Sequence, residues 1–147
     1  MDDAPDNRLA SALAQDLRAV VGRLKRRLRE QAHSGDLTPS QVSVLLRLEK
    51  DGPATASQLA RAEAMRPQSM AAVVAALEAL NLVSGAPHPT DGRQTMLSLT
   101  EPCRQRLREG RAARQDWLTR IIRSRLSPLE QAELATSVDL LMRLVDD

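Results

Sequence analysis

Phe and Tyr are absent from this chain, and Trp117 is its only aromatic side chain. Any core must therefore be filled by Leu, Val, Ile, Met and Ala, a palette that favours helices over sheets. With 147 residues, 42% hydrophobic and 27% charged, the chain is long enough to bury a real core as one globular domain.

The same composition excludes several classes. No stretch approaches the roughly 20 uncharged apolar residues that span a bilayer, and the acidic start Met1-Asp2-Asp3-Ala4-Pro5-Asp6 is unlike a secretory signal. A cytoplasmic protein without membrane partners is expected. A single cysteine, Cys103, rules out an internal disulfide. The formal charge of +2 conceals an uneven distribution, because acids gather at the two ends; between residues 7 and 138 there are 20 bases against 13 acids. Apart from Lys25 and Lys50 the bases are all arginine, whose planar fork suits phosphate. Arginine on any solvated face would give the same count, so charge permits nucleic acid without requiring it.

From Leu9 onward, Leu13, Leu17, Val20, Val21, Leu24 and Leu28 recur at helical spacing with arginines on the remaining faces, predicting a long amphipathic helix over about 9–34. Ser34-Gly35-Asp36 should stop it. Thr38-Pro39-Ser40-Gln41 has the form of a capping box with Pro at the first helical position, opening a helix to about Lys50 that buries Val42, Leu45, Leu46 and Leu48 or its neighbours. Thr55-Ala56-Ser57-Gln58 repeats the pattern and starts a short helix carrying Leu59, Ala60 and Ala62. After a turn at Glu63, Ala64 and Met65, a helix over 66–80 carries Met70, Val73, Val74, Leu77 and Leu80, and Asn81 closes it in the left-handed conformation.

Two helices joined by about three residues make a helix-turn-helix, whose second helix enters a major groove. Leu82-Val83-Ser84 and Thr95-Met96-Leu97-Ser98-Leu99 are expected as strands, joined through Pro87, Pro89, Asp91 and Gly92. A hairpin directly after a recognition helix is a wing, and Arg93 at its tip is the residue type that enters narrow minor grooves. Beyond Thr100 a long helix carries Leu107, Trp117, Leu118, Ile121, Ile122 and Leu126, and Ser127-Pro128-Leu129-Glu130 caps a last one with Leu134, Val138, Leu141, Leu144 and Val145. The expected fold is mainly α with a small β-hairpin wing: a winged helix-turn-helix over 37–99, framed by terminal helices at 9–34 and 100–147. The apolar stripes of those terminal helices have no partner in the central module, so they are expected to pair with a second copy as dimerisation helices.

These stretches resemble the MarR family of bacterial winged-helix regulators over nearly the whole chain. The resemblance rests on Leu37-Thr38-Pro39-Ser40-Gln41, Gly52-Pro53-Ala54-Thr55-Ala56-Ser57-Gln58-Leu59-Ala60, Leu77-Glu78-Ala79-Leu80-Asn81-Leu82-Val83 and, most specifically, Asp91-Gly92-Arg93-Gln94 followed by Leu97-Ser98-Leu99-Thr100-Glu101. It implies a homodimer on a pseudo-palindromic double-stranded DNA operator, usually a repressor. Release by a small, frequently aromatic or phenolic effector near the dimerisation helices is also implied. Residue by residue, it makes Arg93 the minor-groove arginine, Asp91 the acid that holds it, Thr55 and Ser57 phosphate contacts, and Arg66, Gln68 and Ser69 the first residues to meet bases. The chain departs from the family at Ala71, Ala72, Ala75 and Ala76, where polar residues usually stand. Alanine touches a thymine methyl but makes none of the bidentate contacts worth roughly 1–3 kcal/mol each. Ser84 and Gly85 likewise stand where relatives tend to have basic residues.

Each of these residues also has a plainer role. Thr38, Thr55 and Ser127 are caps first, Gln68 and Ser69 suit a helix N-terminus, Arg93 suits an exposed turn, and Trp117 suits a core or dimer interface. Cys103 is expected to be structural, although Arg104 and Arg106 nearby would lower its pKa. No enzyme is expected: His33 and His88 are the only histidines and belong to different elements, and no metal or cofactor spacing occurs. Ser84, His88 and Asp91 crowd one hairpin, but a wing tip offers no pocket for a triad. The competing function is a dimeric protein-interaction module that keeps the fold while its alanine-rich face binds DNA weakly and without specificity.

Overall fold

The computed structural model describes residues 5–32 and 36–147. Among these, the elements in chain order are α1 (Pro5–Gln31), α2 (Pro39–Asp51), β1 (Ala54–Thr55), α3 (Ala56–Ala62), α4 (Pro67–Ala79), β2 (Val83–Pro87), β3 (Thr95–Leu99), α5 (Glu101–Arg125) and α6 (Pro128–Val145). The fold is mainly helical with one small sheet, as the composition demands. Helix α1 starts four residues earlier than the apolar periodicity suggests; of its expected stop signal, Ser34 and Gly35 lie outside the described residues.

Local chemistry sets the helix starts. Thr38, Thr55 and Ser127 each accept a hydrogen bond from the backbone N–H three residues on, and the side chains of Gln41, Gln58 and Glu130 each accept one from the cap residue's own N–H. Each box satisfies two donors that a helix N-terminus otherwise leaves unpaired. Asn81, at φ 58°, closes α4 in the left-handed region as its residue type allows.

Two compact units divide the chain, His33–Gly110 on one hand and Met1–Ala32 with Arg111–Asp147 on the other. The first contains the core: Val44, Leu45 and Leu48 of α2, Leu59 and Ala60 of α3, Met70, Val74 and Leu77 of α4, then Leu82, Val83, Leu97, Leu99 and Cys103. Burying each of the larger side chains contributes roughly 1.5–3 kcal/mol. The buried stripe of α2 differs from expectation. Val44 is buried, Val42 is only half-buried and Leu46 is exposed, because the run Val44-Leu45-Leu46 offers an apolar residue at every helical phase. Ala62 and Leu80 are exposed as well.

The sheet of this unit has strand order β1-β3-β2, antiparallel throughout. Strand β1 was not anticipated; it pairs Ala54 with Leu97 and Thr55 with Met96. Strand β2 pairs Val83 with Leu99 through Pro87 with Thr95 and lies at the sheet edge, where a proline costs no ladder bond. At Gly85 the strands approach closely: a Cβ there would come within 2.6 Å of the Thr95 Cγ2 atom, so that side chain would have to shift. Thr100 then ties the wing to α5, donating through Oγ1 to the Asn81 carbonyl (2.7 Å) and accepting from the Cys103 N–H (3.2 Å).

The second unit is built differently. Among its described residues no side chain is buried, and Leu9, Leu13, Val20, Val21, Leu129, Val138, Leu140, Met142, Leu144 and Val145 are exposed. Within it the Arg27 guanidinium lies 6.0 Å from the ring centroid of the half-buried Trp117, the one cation–π contact among the described residues.

Candidate nucleic-acid interface

Helices α3 and α4 are joined by Glu63–Arg66, with Ala64 at φ 52°. A left-handed alanine costs of the order of 1 kcal/mol, so the surroundings must impose it. They do so through Glu63. Its Oε1 accepts from Ser43 Oγ at 2.7 Å and from Arg47 Nε at 3.2 Å, while Arg47 Nη2 reaches the Ala62 carbonyl at 3.5 Å. The Ser43 hydrogen bond, outweighing burial and helped by Arg47, holds the Glu63 carboxyl below the usual glutamate range. The turn is thereby anchored to α2, which fixes the direction in which α4 leaves it. The sequence contains no motif that announces this network.

Thr55 is 4% exposed and its hydroxyl serves the cap of α3, accepting from Gln58 N–H at 3.2 Å. It thereby shapes the start of α3, where Ser57 at the second helical position is exposed. Helix α4 starts in a different manner from α2, α3 and α6. Its N-cap is Arg66, which makes no side-chain cap bond, and Pro67 follows. Arg66, Gln68 and Ser69 are exposed and have no side-chain partner among the described residues. An uncapped N-terminus carries unpaired amides and the positive end of the helix dipole, a combination that attracts phosphate. Further along, Ala71, Ala72 and Ala75 are exposed and Ala76 is half-buried.

The wing tip is organised by two side chains. Asp91 Oδ1 accepts from the Arg93 N–H at 3.1 Å and Oδ2 from Gln94 Nε2 at 3.3 Å, so the acid holds the arginine's backbone and leaves its guanidinium exposed. His88 Nδ1 accepts from the N–H groups of Thr90 (3.2 Å) and Asp91 (3.1 Å). Backbone bonds from His88 N–H to the Gln94 carbonyl and from Gln94 N–H to the Asp91 carbonyl, both 3.0 Å, close the turn.

Cys103 lies in the core, and burial pushes its thiol up; Arg106 and, less, Arg104 only partly offset this. The arginines do pull the thiol down as expected, but the cost of desolvating a thiolate outweighs them. Among the described residues no group of three His, Cys, Asp or Glu side chains could hold a metal, and no helix is long and apolar enough to cross a membrane.

A tri-helical turn module with an exposed, polar first turn on its second helix and a three-stranded wing beside it defines a winged helix-turn-helix DNA-binding protein. Residues 35–94 match the model of the MarR family. An uncharacterised HTH-type transcriptional regulator of Mycobacterium bovis is 40% identical over 138 residues, 92% of this chain and 94% of the relative. The chain belongs to the MarR family and is a DNA-binding transcriptional regulator. The crystal structure of a putative transcriptional regulator from Pseudomonas aeruginosa is 37% identical, covers 92% of this chain and 96% of its own, and superposes with a TM-score of 0.76. A variant of MepR from S. aureus, bound to an oligodeoxyribonucleotide, shares the fold alone: 16% identity, TM-score 0.73, covering 90% of this chain and 97% of its own.

Proposed function

We propose that the chain acts as a homodimeric cytoplasmic repressor on a pseudo-palindromic operator, with release by a small-molecule effector. Helices α1, α5 and α6 form the dimer base in this reading, and Ser57, Arg66, Gln68, Ser69 and Arg93 meet the DNA. Thr55 and Asp91 orient those contacts rather than making them. The observation that carries the reading is the pairing of an uncapped α4 N-terminus, exposing Arg66, Gln68 and Ser69, with a wing that holds the Arg93 backbone while leaving its guanidinium free. The DNA-bound MepR variant lends support at the level of fold.

Two copies related by a two-fold axis would set their recognition helices about one DNA turn apart. Selection of bound duplexes from a random pool at two salt concentrations should therefore return half-sites at that spacing, with affinity falling steeply as salt rises. Arg93→Ala should lower affinity for the selected operator about tenfold or more, within the roughly 1–3 kcal/mol of a well-placed contact. A pool without enrichment, retained only in a salt-dependent way, would sink this reading in favour of an interaction module.

A further inference from the structure

We infer that His88 is a positioning residue for the wing, and that its protonation releases Arg93 and weakens operator binding. The inference rests on the proposed contact between Arg93 and DNA. In the observed turn, Nδ1 of His88 faces two backbone donors, Thr90 N–H and Asp91 N–H, with Thr90 Oγ1 at 3.3 Å on the same nitrogen. A ring nitrogen that accepts from amides must carry a lone pair, so the ring is neutral with its proton on Nε2. Asp91, aligned by this bond, in turn holds the Arg93 and Gln94 groups described above. The order of support runs from His88 through Asp91 to Arg93.

Protonation places a hydrogen on Nδ1 where the lone pair was. Both amide bonds are lost, and a positive N–H then points at two N–H dipoles. Histidine is the side chain that makes this change near neutral pH. Its charged neighbours are few: within 83–99 the other ionisable side chains are Asp91 and Arg93, and β1 carries none. The helices that pack on the sheet do so beside Val83, Leu97 and Leu99; α2 carries Arg47, Glu49, Lys50 and Asp51, α3 and the turn after it Arg61 and Glu63, α4 Glu78, and the start of α5 Glu101, Arg104, Arg106, Arg108 and Glu109.

The sign of the effect separates this device from bulk electrostatics. An added positive charge near phosphates raises DNA affinity as pH falls, whereas an unlatched wing lowers it. The test measures affinity of the intact dimer for its selected operator at constant ionic strength from about pH 8 to about pH 5.5, a window that spans histidine titration. Wild type should lose affinity about fivefold or more on acidification, the scale of losing a pair of net hydrogen bonds. His88→Asn keeps an acceptor in the place of Nδ1 but does not titrate; it should bind like wild type at high pH and lose nothing at low pH. His88→Ala should bind weakly at every pH. In the free protein, the Thr90 and Asp91 amide resonances should titrate together with the His88 ring. Affinity that rises or stays level on acidification, or a profile that His88→Asn leaves unchanged, overturns the inference. So does a titrating His88 ring with static Thr90 and Asp91 amides. Indifference of the operator to Arg93→Ala would instead defeat the underlying wing contact, leaving the amide titration to judge the latch by itself.

Discussion

The unit from His33 to Gly110 and the unit made of the two chain ends use the same apolar residue types to opposite effect. In the first, thirteen hydrophobic side chains from α2, α3, α4, the start of α5, and the sheet with the residue that leads into it close over one another and are buried. In the second, α1, α6 and the later part of α5 present leucines and valines at helical spacing without burying any of them among the described residues. Helical amphipathicity is thus necessary for a core but not sufficient. A stripe becomes a core only where other elements cover it, and contiguous apolar stripes left open mark an association surface. In the proposed dimer the unit from His33 to Gly110 would be stable by itself, whereas the terminal helices would gain stability with protein concentration.

The largest effect should come from charging the open stripe. Leu134→Glu with Leu141→Glu, one face of α6, should convert the proposed dimer to monomer in sedimentation, each buried and unpaired carboxylate costing about 3 kcal/mol or more of association. Unaltered association would break the comparison. Next is Leu45→Ala in the closed core, where Leu45 is 2% exposed. It should cost about 2–5 kcal/mol, and the resulting drop in Tm should be the same at low and high protein concentration. A concentration-dependent drop would mean that the reading unit also relies on its partner. The smallest effect belongs to Arg66→Ser, which supplies the cap that α4 lacks. It should raise stability by about 0.5–1 kcal/mol while lowering operator affinity. A variant that gains in both would remove Arg66 from the interface.

Much of the fold was legible because its signals are local. The three capping boxes and Asn81 are set within a few residues, and they stand where the sequence places them; the helical periodicities place the helices but leave the start of α1 and the buried face of α2 less defined. Strand β1 was not legible, because two residues have no period and exist as a strand only through pairing with Leu97 and Met96. The buried face of α2 was misjudged at Val42 and Leu46 since apolar residues at consecutive positions fit several phases. Within the candidate site, the exposed first turn of α4 and the Asp-Gly-Arg tip were visible as motifs. The grip of Ser43 and Arg47 on Glu63 spans 20 and 16 residues of chain, and the bonds of His88 depend on a turn conformation, so neither leaves a sequence pattern.

The lone Trp117 has a practical consequence. With no other indole and no phenol in the chain, ultraviolet emission comes entirely from the terminal-helix unit, and the wing and recognition helix are optically silent. A change in that emission when operator is added would therefore report on the terminal-helix unit. Because the Arg27 guanidinium lies over the ring, the colour and lifetime of the emission would register whether that cation stays in place.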